Sequence, residues 1–303
     1  MNNVFDVIIP LSGKDVLFLP RVVKYIRSNI SGAQDIYVIS SVKNLNKLRK
    51  KGLFDCKLID EDLLVENLNF DNVKKELSRY NYQAKTGWFF QQFLKIGFGL
   101  SKYSKKYYLS WDSDTLPLRN ISFFEENNPL FTMKNEFNGA YFETIYKLFG
   151  LKKQKEASFI AEHMMFNVNI VREMVLAIEN SNVEGKFWYS KIINAGDYNK
   201  QYAPFSEFET YGTYCSFYYP DLYKYRRLCT FRYAGYIRGR SISDKMLNDF
   251  AHDLDIASFE IYHGPKFPYN LKQIYYSWKL KWFRYKRMGL IQLVKLIKEK
   301  ISK

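Results

Sequence analysis

The run Tyr107-Tyr108-Leu109-Ser110-Trp111 passes straight into Asp112-Ser113-Asp114-Thr115, and no other stretch constrains the chain as much. Aromatic and branched side chains suit a pleated surface and five residues are too few for a typical helix, so the run predicts a buried strand. Two carboxylates one residue apart then follow at once. Beyond the carboxyl ends of strands in open α/β sheets lies a crevice where ligands collect, so Asp112 and Asp114 are expected to face a crevice and not a core. Side chains alternate along a strand, which puts both acids on one side, where they repel unless a cation joins them to a partner. One reading is an Asp-x-Asp site for Mg2+ or Mn2+, hard cations that take oxygen ligands and substrate phosphates. The other is a solvated turn.

The surrounding sequence predicts the sheet that this strand would join. Val4 to Ile9 reads as a first strand, ending in Pro10-Leu11-Ser12-Gly13-Lys14-Asp15, a small-residue loop of the kind on which a nucleotide lies. Leu17, Leu19, Val22, Val23, Tyr25 and Ile26 suggest a helix, Asp35–Ser40 a second strand and Cys56–Asp60 a third. Strands alternating with helices predict a parallel-rich α/β sheet. Gln83 opens a helix running to about Lys102, in which Gln91 and Gln92 interrupt an apolar stretch; a solvated face or a bound polar ligand beside Lys85 would each explain them. Pro129–Met133 reads as a strand, and Tyr141-Phe142-Glu143-Thr144 opens a helix that Gly150 would cap. Ile170, Val171, Met174, Val175 and Ile178 recur at helical spacing.

Three later places carry chemistry-bearing side chains. His163, in the apolar run Ser158–Asn167, reads either as a hydrogen-bonded core residue or as a ligand. Glu207 and Glu209 follow Ser206, where acids favour a first helical turn on dipole grounds alone; a general base is the competing role. His263 stands before Gly264 in the stretch from Asp255, and could complete a metal's coordination beside the two aspartates, with His252 as competitor.

Composition narrows the classes. With 47% hydrophobic and 18% aromatic residues in 303, the chain can bury a large core and is far from disordered. Cys56, Cys215 and Cys229 lack zinc-site spacing and read as reduced thiols of a cytosolic protein. Met1–Asp6 has neither a basic nor a long apolar region, so no signal peptide is expected, and no uncharged run is long enough to cross a bilayer. Membrane contact would be peripheral. Of the formal charge of +15, +10 falls between Gly264 and Lys303, where eleven Lys and Arg meet one acid, Glu299. The body is only mildly basic and no nucleic-acid signature is present, so no nucleic-acid partner is expected.

Taken together, these pieces resemble the nucleotide-sugar-dependent glycosyltransferases of the GT-A fold. More narrowly, they resemble DUF6492, a bacterial family of unknown function expected to act in surface-polysaccharide synthesis. The resemblance is carried by Ile8–Ser12, Gly87–Lys95, Trp111–Thr115, Tyr141–Thr144, Ser158–Asn167 and Ser206–Gly212, in the family's order over residues 4 to 260. It implies a GT-A, Rossmann-like sheet, mixed and mostly parallel and flanked by helices, over residues 1–265; residues 266–303 read, on their own charge and spacing, as a basic amphipathic helical tail. It implies transfer from a nucleoside-diphosphate sugar, a UDP-sugar being favoured, to a surface glycan such as capsule or O-antigen. Pro10, Leu11, Ser12, Lys85, Gln91, Gln92, Asp112 and Ser113 would hold the donor. Asp114 would bind Mn2+ or Mg2+ directly, with Asp112 on the ribose or reaching the metal through water. His263 as a further ligand follows by looser analogy.

An inverting enzyme would use Glu207 or Glu209 as base, and His163 and Glu143 would face the acceptor. In the tail, Leu271, Ile274, Tyr275, Trp278, Trp282 and Tyr285 keep helical spacing among Lys and Arg. Such a helix suits an anionic membrane surface, each basic residue adding about 1 kcal/mol near it, and a lipid-linked acceptor would explain its place; a helix packed on the body is the alternative. The protein is then expected on the inner face of the cell membrane. Two rival functions remain: phosphoryl or nucleotidyl transfer by the same carboxylates, and a non-catalytic basic module binding acidic polymer through the tail.

Overall fold

A computed structural model describes residues 3–52, 55–153, 157–199 and 203–265, together with single positions between 267 and 282. Its centre is a sheet of five strands: β1 (Phe5–Pro10), β2 (Ala33–Ser40), β3 (Lys57–Asp60), β4 (Tyr107–Trp111) and β5 (His163–Asn167). They lie in the order β5-β4-β1-β2-β3. Only β5 is antiparallel to its neighbour; β1 runs parallel to β2 and β4, and β2 to β3. The mixed, mostly parallel α/β sheet expected from the sequence is therefore present.

The strands read as continuous apolar runs because both faces of the sheet are covered. Ile8, Tyr108, Met164 and Phe166 join one core with helices Thr86–Gly97, Val168–Glu179 and Glu207–Tyr218. Their neighbours Val7, Ile9, Leu109, Trp111 and Met165 point the other way, into a core with helix Leu19–Asn29. Alternation along each strand supplies both cores from one sheet.

Most predicted elements fall within a residue or two of the observed ones. The helix expected from Gln83 to Lys102 is a 3-10 turn at Gln83–Lys85, an α-helix at Thr86–Gly97 and a further 3-10 turn at Phe98–Leu100. Gly150 ends helix Gly139–Phe149 at φ 71, a left-handed conformation that glycine takes without strain, and its N–H bonds to Tyr146 O. Ser206 caps helix Glu207–Tyr218, its side chain accepting from Glu209 N. The stretch after Asp255 gives a short strand, Ile256–Ser258, pairing antiparallel with Thr115–Pro117. This pairing lets the late chain reach the carboxyl end of β4.

The tail from 266 to 303 falls mostly outside the described residues. Its described positions Leu271, Tyr275, Trp278 and Trp282 are helical and more than half exposed. Among the described residues no helix is long and apolar enough to cross a membrane.

Candidate functional site

The sheet places Asp112 and Asp114 where parallel strands end. They do not continue β4 as a strand, however: Thr115 N bonds back to Asp112 O at 3.2 Å, and the Trp111 indole N–H donates to Thr115 O at 2.8 Å, so the pair sits in a tight turn. Neighbouring chain fixes the turn from two sides. Asp112 N donates to Glu162 O at 3.0 Å, extending the β4–β5 ladder, and Phe259 N donates to Asp114 O at 2.8 Å. Thr115 Oγ1 and Ser258 Oγ share a buried hydrogen bond of 2.8 Å. Both carboxylates line one cavity, as the strand-end reading expected, although a turn and not strand alternation puts them there.

That cavity holds about 240 Å3. Asp15, Asp112, Asp114, Glu162 and Glu260 give it five carboxylates, against the cations of Lys14, Lys95 and Arg232. Excess negative charge in a half-enclosed space shows on Asp114. Burial first, then the charges of Asp112, Asp15 and Glu260, push its carboxyl up to about 7 despite Arg240, whose Nη2 lies 4.0 Å from it. A cation placed there would relieve the repulsion.

Around the aspartates two buried groups form a frame. Lys95, on helix Thr86–Gly97, donates to Asp112 Oδ1 at 2.9 Å and to Glu207 Oε1 at 2.8 Å, with the Phe208 ring 4.2 Å away. Burial disfavours its ammonium, but Asp112 and Glu207 outweigh burial and hold it above the ordinary lysine value. On the other side Asp15 accepts from Ser12 Oγ at 2.9 Å and Ser113 Oγ at 3.0 Å. Arg240 Nη2 donates to its second oxygen at 2.5 Å, while Arg240 Nε holds Phe259 O. Asp15 thus ties the loop after β1 to the Asp-Ser-Asp turn and to the late chain.

A second cavity of about 170 Å3 lies over the ends of β1 and the Gln-rich helix. Pro10, Leu11, Ser12, Phe70, Phe90 and Leu94 make it mostly apolar, with Asn44 and Glu61 as polar groups. Gln91 lines both cavities, so they share a wall there.

Of the donor residues expected from the sequence, Pro10, Leu11 and Ser12 line the apolar cavity, Gln92, Asp112 and Ser113 the acidic one, and Gln91 both. Lys85 does not fit: it is exposed in the turn before the helix and lines neither cavity. Lys95, a residue at i+4 from Gln91 and i+3 from Gln92, occupies the place foreseen for it. That spacing was the available signal.

Glu207 and Glu209 also line neither cavity, each being only 1% exposed. Glu207 is held by Lys95 and faces the Gln92 amide; Glu209 Oε2 accepts from Ser158 Oγ at 2.7 Å and Phe159 N at 3.2 Å. These are framework contacts, and neither acid is placed to meet an acceptor. His263 packs on the rings of Tyr233 and Tyr236, at 5.2 and 4.3 Å, and lines neither cavity. His252 is exposed at the end of helix Asp244–Phe250. Among the described residues no three His, Cys, Asp or Glu side chains gather into a metal-ligand cluster. His163 proves to be a core histidine, stacked on Trp111 and hydrogen-bonded to Thr132 Oγ1 at 2.8 Å. Burial, with Arg226 and Lys134 nearby, holds its ring well below the ordinary histidine value. Glu143 lies on a separate open groove with Phe142 and Tyr146.

No family model matches the chain, and no curated protein matches it. Several solved glycosyltransferase structures do. The galactosyltransferase LgtC, in complex with donor and acceptor sugar analogs, matches at 11% identity and a TM-score of 0.41, over 84% of this chain and 87% of that one. GlyE of Streptococcus pneumoniae TIGR4 matches at 12% and 0.39, over 98% of this chain and 64% of its own. Mouse xyloside xylosyltransferase 1 matches at 14% and 0.37, over 86% and 99%. At these scores the likeness carries no argument about function. The residues of the two cavities carry it instead.

Proposed function

We propose that the chain is a metal-dependent glycosyltransferase that moves a sugar from a nucleoside-diphosphate sugar, a UDP-sugar being favoured, to a hydroxyl of a growing surface glycan. The observation that supports this is the pair of cavities meeting at Gln91. One is apolar, backed by the loop after β1 and flanked by aromatic side chains, and suits a base. The other is rich in carboxylates and hydrogen-bonding groups and suits a sugar diphosphate with a cation. Both lie beyond the carboxyl ends of parallel strands, where such ligands bind in open α/β sheets.

The residues fit a divalent ion of the Mg2+ or Mn2+ type. Asp112 and Asp114 are hard oxygen donors in one turn, and the raised carboxyl of Asp114 marks negative charge without enough compensation. Ions of this kind are commonly held by one or two carboxylates with substrate phosphates completing the shell, so a pair of aspartates without His263 is enough. When bound, the ion would stabilise charge growing on the leaving diphosphate as a Lewis acid. The chain's own groups do the rest. Lys95 fixes the Asp112 carboxylate, Asp15 fixes Ser113, and Lys14 adds positive charge at the cavity wall.

Residues 1–265 would form the catalytic unit and 266–303 a basic tail lying on the anionic inner face of the cell membrane, where a lipid-linked acceptor is within reach. Flotation with anionic liposomes tests the tail: the full chain should float, and a chain ending at 265 should not. Nucleotide release across a panel of sugar nucleotides, with Mn2+, Mg2+ or EDTA, tests the transferase. Asp114→Ala should abolish metal-dependent release; release at the wild-type rate from the folded variant would refute the reading.

A further inference from the structure

Glu162 is the fully buried carboxylate of the acidic cavity that the frame leaves without a hydrogen bond. Its side chain is 3% exposed, yet neither oxygen has a hydrogen-bond partner among the described residues. Lys134 Nζ and Arg232 Nε stand 3.4 Å from its oxygens, close enough to balance its charge but outside hydrogen-bonding geometry. Lys134 donates to Thr230 Oγ1 and Arg232 donates through Nη1 to Glu136. A buried carboxylate accepts several hydrogen bonds, and leaving those sites unused is costly. A group that lines a cavity and lacks donors is poised for a ligand that brings them. Hydroxyl groups are the donors a sugar offers.

Glu162 lies across the β4–β5 ladder from Asp112, whose N–H bonds to its carbonyl at 3.0 Å. Asp114 feels Asp112, Asp15, Glu260 and Arg240. Glu162 is instead paired with Lys134 and Arg232. A sugar held in the same cavity as Asp114 has Glu162 in its wall.

Given the transferase reading above, we propose that Glu162 is the general base that receives the acceptor hydroxyl, and that transfer inverts the anomeric centre. In the step, the acceptor oxygen bonds to the anomeric carbon as the bond from that carbon to the diphosphate oxygen breaks. Both electrons of the broken bond leave with the nucleoside diphosphate, and the acceptor proton passes to Glu162. Glu260, the other acid of the cavity without a side-chain hydrogen bond, is only half-buried and adds its charge to that on Asp114, so it serves as the control.

The test compares wild type, Glu162→Gln, Glu162→Asp and Glu260→Gln for donor binding, metal-dependent donor hydrolysis and transfer to a soluble glycan acceptor. Glu162→Gln should bind the donor within about threefold of wild type, while transfer, and with it hydrolysis to water, falls by about a hundredfold or more, the usual loss on removing a general base. Glu162→Asp keeps a carboxylate and should recover part of the transfer; it also serves if the glutamine variant does not fold. Nuclear magnetic resonance of the first-formed product should show inversion. Transfer by Glu162→Gln within threefold of wild type, or a product of retained configuration, would overturn the assignment. Loss of donor binding in step with transfer would overturn it too, making Glu162 a donor-binding group. Failure of wild type to turn over any donor would instead count against the transferase itself.

Discussion

Asp114→Asn should make the metal-free protein more stable, although it removes the residue on which activity is proposed to depend. The Asp114 carboxyl ordinarily titrates at 3.8 and is pushed up to about 7 by burial and by Asp112, Asp15 and Glu260. That gap corresponds to about 4 kcal/mol between the two protonation states. The sign follows from proton binding. Between 3.8 and about 7 the folded chain holds the proton more tightly than the unfolded chain, so stability falls as pH rises through this window and is level above it. Metal-free wild type therefore carries the whole penalty at about pH 8, and almost none of it near pH 4. Asparagine keeps the shape and never ionises. The Asp114 side chain remains 16% exposed, so solvent screens part of the effect, and a gain of about 2 kcal/mol at pH 8 is the expectation. For a chain of this size that is on the order of 4 °C in Tm.

Calorimetry in EDTA at a series of pH values measures the difference directly. The advantage of Asp114→Asn should shrink steadily toward acid, and Mn2+ should raise the Tm of wild type while leaving the variant unmoved. A variant less stable than wild type at pH 8 in EDTA, or an advantage independent of pH, would refute the charge-crowding argument. Such a result would also weaken the case for a cation between these aspartates, because the same repulsion supports both.

Two further substitutions test the frame. Lys95→Met leaves Glu207, 1% exposed, without its cation, and should cost about 3–5 kcal/mol in denaturant unfolding; Lys95→Met with Glu207→Gln should recover much of it, because both buried charges are then gone. Gly212→Ala puts a Cβ at 2.3 Å from the Phe159 ring inside helix Glu207–Tyr218, and overpacking of that kind should lower stability by about 1–3 kcal/mol, read from the unfolding midpoint.

The sheet was legible because its strands are buried on both faces, which writes them as apolar runs too short for helices. The Asp-Ser-Asp turn was legible for the same reason, since its acids break such a run abruptly. What escaped was any side chain whose role depends on contacts distant in sequence. Lys85 and Lys95 both flank the Gln pair, and only the helix phase separates the exposed one from the one that bridges Asp112 and Glu207 across 17 and 112 positions. Glu207 and Glu209 read either as first-turn acids behind a helix cap or as a general base, and the cap is real; their contacts are with Lys95, Ser158 and Phe159, none of which the local pattern reveals. Glu162 sits in an apolar run next to a histidine, the residue whose chemistry is the more versatile. Yet His163 stacks inside the core, and the acid beside it turns outward into the cavity, as alternation at the start of β5 requires. A single polar residue in a buried strand thus points to the site only once it is known which face of the sheet meets the cavity, and that depends on the β4–β5 register.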